Sequence, residues 1–374
     1  MTRGILAVVF LAGMILGGVL VTAFRAPDLP ATWHEAVALS APRTYAQAVA
    51  LANGEVLVVG GMDRDHTPLA NGHAEILDPR TGTVRLDPSL RIARLWQSLT
   101  TLRDDRILVV GGTERRDDGA WYALPYAETF DPWTGRWRAV RAPTIARSDH
   151  SAALLHDGRV LIIGGNDGPM WVRQSEIYDP LTDTWSSAAP LPVGRTRFTA
   201  ATLPDGRVLV AGGLEQPGPA TDHTLIYDPA TDAWTDGPPM LAKRAIHSAV
   251  ALPDGDILFI GGQNDGSNTA ERYSLKSRHF EFAGVLGSPR MFGQAAVAED
   301  GTVIFAGGIV VPQQGFDPTT DVERWDPRTN LWTVDAPLHT GRAGGAIVAA
   351  PGGIWLLGGS IENDRAIASV ELLR

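Results

Sequence analysis

The chain has 374 residues, of which 44% are hydrophobic and 20% are charged, a balance typical of a folded protein with a large buried core. Its formal net charge is −10 and its basic residues are scattered, which argues against nucleic acid as a partner. The absence of cysteine excludes disulfides, thiolate nucleophiles and cysteine metal ligands.

The first predicted element is an apolar segment at residues 4–24, which carries no charge over 21 residues. About 20 apolar residues match the hydrocarbon thickness of a bilayer. A secretory signal has a shorter apolar core of roughly 7–15 residues, although "VTA" at 21–23 resembles a cleavage site. We therefore expect residues 1–26 to be an uncleaved signal anchor or, alternatively, a cleaved signal peptide. Residues 27–374 then lie on the extracytoplasmic side, periplasmic or extracellular, either anchored to the membrane or secreted.

After this segment the chain repeats a short motif, an apolar strand that stops on two adjacent glycines, as in "RVLIIGG". The motif occurs seven times at spacings of 46 to 53 residues, which indicates a repeat array. The first glycines of the pairs are Gly60, Gly111, Gly164, Gly212, Gly261, Gly307 and Gly358.

One repeat, residues 147–185, shows the predicted unit. The half-apolar "HSAALL" is followed by the turn Asp157-Gly158 and then by a strand whose successive apolar residues predict burial on both faces. A third strand, "SEIYDP", ends on a turn-forming Asp-Pro, and a fourth begins at Trp185. Four antiparallel strands in each repeat of about 50 residues are typical of a β-propeller blade.

The spacing between repeats predicts how the ring closes. An arginine precedes each glycine pair by 17 residues, or by 16 in the last repeat. A fourth-strand residue such as Trp185 precedes the next opening arginine by ten residues, and Trp33 has the same spacing to Arg43. Residues 31–39 are therefore expected to pair with the third strand at 369–374 and to close a seven-bladed, all-β propeller. The alternative is six blades with a stray terminal repeat.

The glycine pair, the "YDP" turn and the spaced tryptophan together resemble the kelch repeat, over essentially all of residues 31–374. Seven such blades also resemble the central domain of galactose oxidase. That resemblance implies a copper ion and a tyrosine cross-linked to cysteine, and without cysteine this radical chemistry cannot be carried over. We expect no cofactor. Secreted bacterial kelch-type sialic acid mutarotases are also similar, but no local motif carries their activity across.

Candidate binding residues stand two positions after each opening arginine, where the residue type varies from repeat to repeat. In kelch proteins that bind ligands on this face, the matching positions line a shallow central bowl. The predicted contact residues are Tyr45, Trp96, Asp149, Arg197 and Phe292, with packing between blades as the alternative role. The opening arginines are uniform, so we expect them to support the blades.

The loops after the first two glycine pairs are rich in charge and predict a rim around the bowl. Their candidate residues are Asp63, Arg64, Asp65, Arg115 and Arg116. His150 and His247 share one repeat position, so they are interpreted as part of the repeat and no metal site is expected.

These features favour an exported, membrane-anchored module that binds a protein partner without catalysis, as a scaffold or as an accessory subunit of a membrane complex. The alternative is a carbohydrate-active enzyme, an epimerase or lyase on an acidic sugar. Arg197 would then hold the carboxylate, with Tyr45 and Trp96 stacked on the sugar ring. No motif assigns a catalytic residue.

Overall fold

The computed structural model describes residues 32–63, 74–87, 90–168, 170–311 and 317–374. Within them, each of the seven repeats folds as a sheet of four antiparallel strands, which confirms the predicted seven-bladed, all-β propeller. These strands belong to one compact unit, Thr32–Arg374. Blades are numbered 1 to 7 in the order of their innermost strands.

Each blade runs from an innermost to an outermost strand. The innermost strands are Gln47–Ala50, Ser98–Thr101, Ser151–Leu154, Thr199–Thr202, Ser248–Ala251, Gln294–Val297 and Ala346–Ala350. The second strands are Val56–Val59, Ile107–Val110, Val160–Ile163, Val208–Ala211, Ile257–Ile260, Val303–Ala306 and Gly353–Leu357. The third strands are Ala74–Asp78, Ala127–Asp131, Ser175–Asp179, Thr224–Asp228, Thr269–Ser274, Val322–Asp326 and Ser369–Leu373. The outermost strands are Thr83–Asp87, Arg136–Ala139, Thr184–Ala188, Ala233–Asp236, His279–Val285, Leu331–Val334 and, for blade 7, Trp33–Ala38.

Shorter elements lie in the loops after the second strands and, at residues 195–196 and 290–291, in the segments before the innermost strands. They are the strand pairs Thr113–Arg115 with Trp121–Ala123, Arg195–Thr196 with Leu214–Glu215, Arg290–Met291 with Ile309–Val310, and Ser360–Ile361 with Arg365–Ala366. Two single turns of 3₁₀ helix lie at Asn264–Gly266 and Glu362–Asp364. No helix in the described residues is long and apolar enough to cross a bilayer. The predicted apolar segment at residues 4–24 lies outside the described residues.

The core lies between the blades. In blade 3 all four residues of the second strand, Val160–Ile163, are buried, as the unbroken apolar pattern predicts. Leu161 and Ile163 pack in one cluster with Val208 and Val210 from the second strand of blade 4. Burial on both faces of each sheet therefore follows from the stacking of neighbouring blades.

The glycine pairs allow the backbone of one blade to pass close to the next. Gly164 and Gly165 have φ angles of +58° and +92°. A Cβ atom on Gly164 would lie 2.6 Å from the carbonyl oxygen of Arg195, and one on Gly165 would lie 2.5 Å from that of Ser148. Both the left-handed backbone and the lack of space therefore require glycine here.

The opening arginines are buried and support their own blades, as predicted. In blade 3, Arg147 Nη1 donates to the carbonyl oxygen of Gly164 at 2.9 Å, and its Nη2 donates to Glu176 at 2.8 Å. Glu176 also accepts the backbone N–H of Thr144 at 2.7 Å, so that arginine, sheet and loop are bound together. The other arginines that donate to the first glycine of a pair are Arg43, Arg94, Arg195, Arg244, Arg290 and Arg342.

The N-terminal strand closes the ring, as the tryptophan spacing predicts. Trp33–Ala38 pairs antiparallel with Ser369–Leu373, and Trp33 lies opposite Leu373. Trp33 is buried, with 3% of its surface exposed. Blade 7 then packs against blade 1, because Trp355 and Leu372 share a cluster with Val58 of blade 1.

Candidate functional site

The variable position of each repeat adopts a left-handed backbone in every blade. The seven residues and their φ angles are Tyr45 (56°), Trp96 (58°), Asp149 (50°), Arg197 (55°), Ile246 (55°), Phe292 (56°) and Gly344 (59°). Residues with side chains seldom adopt this conformation, and a β-branched residue such as Ile246 does so only when its surroundings hold it there. The fold therefore holds all seven positions in a conformation that their side chains alone would not choose.

Hydrogen bonds between blades hold these residues in place. The backbone N–H of Tyr45 donates to the carbonyl oxygen of Gly344 at 2.7 Å, across the seam between blades 1 and 7. In the same way Asp149 donates to Trp96 at 3.1 Å, and Arg197 donates to Asp149 at 3.2 Å. Each of these bonds joins the variable residue of one blade to that of the preceding blade. The variable side chains therefore start from equivalent backbone positions.

The five predicted contact residues line one cavity of about 540 Å³, together with Ile246 and Gly344. We call this cavity the bowl. Its lining also includes Gln47, His247 and Asp364. The structure thus brings together Tyr45, Trp96, Asp149, Arg197 and Phe292. It also places Asp364 beside them, which the repeat pattern does not single out.

Aromatic rings form a continuous wall along one part of the bowl. The ring centroid of Tyr45 lies 5.5 Å from that of Phe292, edge-on, and 6.3 Å from that of Trp96. Trp96 in turn lies 6.1 Å from Trp121 of the blade 2 hairpin. Such offset and edge contacts are favourable arrangements of aromatic pairs. The wall therefore spans blades 6, 1 and 2.

Gly344 makes the contact between Tyr45 and Phe292 possible. These two aromatic residues belong to blades 1 and 6, and blade 7 lies between them. A Cβ atom on Gly344 would lie 2.8 Å from Cε1 of Tyr45. Because glycine carries no side chain, the Tyr45 ring occupies that space and reaches Phe292.

A charged pair occupies the next part of the bowl. Arg197 Nε lies 3.8 Å from Asp149 Oδ1, and the Arg197 guanidinium lies 5.9 Å from the centroid of Trp96. Asn166 donates to the other carboxylate oxygen of Asp149 at 3.3 Å. Burial raises the pKa of Asp149, and the charge of Arg197 and the bond from Asn166 oppose that rise. The Asp149 side chain is 12% exposed and that of Arg197 is 35% exposed, so the arginine is the more accessible partner.

Asp364 reaches the bowl from the loop of blade 7. Asn363 and Asp364 have φ angles of 59° and 53°, two consecutive left-handed residues. Burial is the main cause of the raised pKa of the Tyr45 phenol, and the carboxylate of Asp364 adds to it while Arg197 opposes it. The phenol therefore stays protonated at neutral pH. In the sequence, only the turn-forming "ENDR" at 362–365 could have indicated a special backbone here.

The rim candidates of blade 2 lie on a hairpin rather than on an irregular loop tip. Arg115 and Arg116 are exposed, at the end of the strand pair Thr113–Arg115 with Trp121–Ala123. The Arg115 guanidinium lies 5.9 Å from the centroid of Trp121, which extends the aromatic wall outward. Arg116 instead pairs with Glu114 at 2.8 Å.

The rim candidates of blade 1 are only partly described. Asp63 follows Met62, which lines the bowl. Arg64 and Asp65 lie outside the described residues.

The two repeat histidines serve contacts between blades. His150 Nε2 lies 2.9 Å from Ser98 Oγ, and His247 Nε2 lies 2.9 Å from Thr199 Oγ1, each on the preceding blade. Burial, with a smaller contribution from the opening arginine, lowers the pKa of both imidazoles to about 3. They are therefore neutral at physiological pH. His150 lines a second cavity of about 360 Å³ along the innermost strands.

Comparisons with known proteins bear on the repeats and on the fold. Residues 147–192 and 195–241 each match a kelch motif. A stretch of 108 residues is 28% identical to an F-box/kelch-repeat protein of Arabidopsis thaliana and covers 29% of this chain and 34% of that protein. Over 73 residues, 19% of this chain and 12% of the relative, the chain is 34% identical to Kelch-like protein 24 of Homo sapiens. Over 107 residues, 28% of this chain and 12% of the relative, it is 33% identical to alpha-scruin of Limulus polyphemus. The chain thus spans about a third or less of the length of these relatives.

A solved structure agrees with the whole ring. It is a fungal alcohol oxidase of the AA5 family in complex with copper, with a TM-score of 0.75 and 20% identity. The match covers 92% of this chain and 76% of the oxidase. At this identity the likeness shows the fold alone. With two matched kelch motifs in a ring of seven like blades, the chain is a kelch-repeat β-propeller.

Proposed function

We propose that this propeller is a non-catalytic module that docks a protein partner in the bowl, as a scaffold or as an accessory subunit of a membrane complex. Kelch propellers generally mediate protein interactions. The observation that carries the proposal is the convergence of five variable side chains on one cavity, while the arginines two positions earlier are uniform and buried. Tryptophan, tyrosine and arginine are the residues that most often dominate the free energy of protein interfaces.

Partner capture tests this proposal. The purified protein, extracted in mild detergent, is compared with Trp96→Ala by mass spectrometry of the proteins that co-purify. We expect one or a few proteins to be depleted at least about tenfold by the substitution, which corresponds to about 1.4 kcal/mol of binding free energy. An identical set of co-purifying proteins, at an unchanged melting temperature, would refute docking in the bowl.

We further propose that residues 4–24 remain as an uncleaved anchor and that the propeller lies outside the cytoplasm. The uncharged length of this segment supports the proposal. Intact-mass measurement of the purified protein tests it, and the full-length mass is the expected result. A mature N-terminus near Phe24 or Pro27 would instead mean a cleaved signal peptide.

A carbohydrate-active enzyme, an epimerase or lyase on an acidic sugar, is the second candidate and would use the same cavity. The raised pKa of Asp149, beside Arg197 and near Trp96, favours it, because perturbed carboxyl groups are frequent in active sites. It ranks second because the polar groups that such an enzyme would use are already engaged with other residues. Arg197 lies near Asp149, and the neutral imidazole of His247 is bonded to Thr199. Turnover of a glucuronate-containing oligosaccharide, lost in Asp149→Asn, would reverse this order.

A further inference from the structure

The aromatic wall presents ring surface at the bowl. Its four rings are Phe292, Tyr45, Trp96 and Trp121, and their successive centroid distances are 5.5, 6.3 and 6.1 Å. The planes of neighbouring rings are inclined by 61°, 54° and 40°, so the rings of the wall do not stack flat on one another. Trp121 is 38% exposed, and the other three are half-buried and line the bowl. Part of each ring is therefore open to a ligand.

The two tryptophans of the wall differ from other tryptophans of the propeller in their hydrogen bonds. Six indole N–H groups donate to an oxygen of a neighbouring residue, those of Trp137, Trp185, Trp234, Trp325, Trp332 and Trp355. Within the described part of the chain, the indole N–H groups of Trp96 and Trp121 make no such bond. The wall therefore offers two N–H donors to a ligand.

The polar groups beside Trp96 are already engaged with each other. The carboxylate of Asp149 accepts from Asn166 at 3.3 Å and lies 3.8 Å from Nε of Arg197. At this part of the bowl, the groups left for a ligand are aromatic surface and N–H donors. Such a surface favours an apolar ligand that accepts hydrogen bonds and has no donor of its own to satisfy.

A proline-rich segment has this chemistry. Proline has no backbone N–H, so it accepts hydrogen bonds through its carbonyl group and carries no donor. Runs of proline form the polyproline II helix, which has no internal hydrogen bonds and leaves the carbonyl oxygens open. Because this helix is preformed, it loses little conformational entropy when it docks in an aromatic-lined groove. A sugar instead carries hydroxyl donors, and the Asp149 carboxylate that could accept them is already paired.

We propose that the docking segment of the partner is rich in proline and lies against the aromatic wall. Its pyrrolidine rings pack on Tyr45, Trp96 and Phe292. The indole N–H groups of Trp96 and Trp121 donate to its carbonyl oxygens. This inference rests on the proposed function and names the chemistry of the partner.

Ligand-observed saturation-transfer NMR tests the inference with three ligands at one concentration. They are acetylated, amidated hexaproline made of L-residues, the same peptide made of D-residues, and a glucuronate-containing hexasaccharide. The two peptides have the same composition and apolar surface, but the D-peptide forms the mirror-image helix. We expect the L-peptide to bind at least about fivefold more tightly than the D-peptide, and the sugar to give no signal. Because no charge takes part, binding should change less than about twofold between about 0.05 M and about 0.5 M salt.

Two conservative variants test the donors. Trp121→Phe keeps an aromatic ring and removes the indole N–H, so it should weaken binding of the L-peptide about fivefold, as expected for one lost hydrogen bond. Trp96→Phe should do the same and decides the question if melting temperatures show that Trp121→Phe is misfolded.

Trp133→Ala is the matched control. Trp133 also belongs to blade 2 and is 64% exposed, but it lies in the turn between the third and outermost strands, at the other end of the sheet from Trp121. Its loss should leave peptide binding unchanged. Equal binding of the two peptides, preference for the sugar, no binding of any ligand, full binding in both phenylalanine variants, or equal loss in Trp133→Ala would overturn the inference.

This result separates from the fate of the proposed function. If Trp96→Ala loses its partner while the L-peptide shows no preference over the D-peptide, docking stands and the proline-rich segment is wrong. If the L-peptide binds through Trp121 while Trp96→Ala keeps every partner, the proline site stands and partner docking in the bowl is wrong.

Discussion

The ring of Tyr45 fits in its position because the neighbouring Gly344 has no side chain. The ring occupies the space where a Cβ of Gly344 would stand, and this allows it to contact Phe292 two blades away. Gly344 occupies the variable repeat position and contributes to the bowl by leaving it open. At this scale, the shape of the bowl depends on residue identity at positions whose backbone is left-handed in every blade.

Gly344→Ala should therefore disturb the bowl. The new Cβ would lie 2.8 Å from Tyr45 Cε1, so the ring must shift, which disturbs its contact with Phe292. We expect partner retention to fall at least about fivefold, with about 1 kcal/mol of lost stability from the left-handed backbone. The measurements are partner retention and the free energy of unfolding.

Gly135→Ala provides the control, because Gly135 has a similar φ of +65° and no atom within 4 Å of the added Cβ. It should lose similar stability and keep the partner. Equal partner retention in both variants would contradict this role for Gly344.

At the scale of the element, the closing strand has an effect beyond its six residues. Trp33–Ala38 supplies the outermost strand of blade 7, and its register places Trp33 opposite Leu373. Without it, the edge of Ser369–Leu373 would be open for pairing with another chain. The strand therefore couples the two ends of the propeller.

Trp33→Ala should destabilise the propeller by about 3–5 kcal/mol, the usual cost of truncating a buried tryptophan. Deletion of residues 31–39 from the propeller should lower the melting temperature further and cause aggregation. Calorimetry and size-exclusion chromatography measure both effects. A deletion variant that melts like the intact protein and stays monomeric would mean that ring closure does not depend on this strand.

At the scale of the whole molecule, the opening arginines that support the blades and the residues that line the bowl occupy neighbouring positions of the same repeat. Each opening arginine pairs with a glutamate of its own repeat. The residues two positions after these arginines line one cavity. In blade 4 the glutamate that pairs with the opening arginine comes from a different position of the repeat. Leu225 stands where blade 3 has Glu176, and Arg195 pairs instead with Glu215 of the short strand Leu214–Glu215.

The repeat made the fold and its closure predictable, since fixed spacings translate directly into equivalent strands. It also located the bowl residues, because variation at one fixed position stood out against uniform neighbours. The sequence did not indicate Asp364, Trp121 or the role of Gly344. Each acts through contacts with another blade or with an inserted hairpin, which depend on how side chains cross blade boundaries. For the same reason, the sequence did not indicate that Glu215 replaces the third-strand glutamate as the partner of Arg195.

The most direct test compares substitutions of two bowl residues with substitutions of two opening arginines. For Trp96→Ala, Arg197→Ala, Arg147→Ala and Arg244→Ala, the dissociation constant for the captured partner and the melting temperature are measured in parallel. We expect the first two to weaken binding at least about tenfold at a nearly unchanged melting temperature. The latter two should instead lose about 3–5 kcal/mol of stability, because each leaves a buried glutamate without its partner. Normal binding by Trp96→Ala and Arg197→Ala, with binding lost at full stability in Arg147→Ala and Arg244→Ala, would contradict the assignment of the bowl as the docking site.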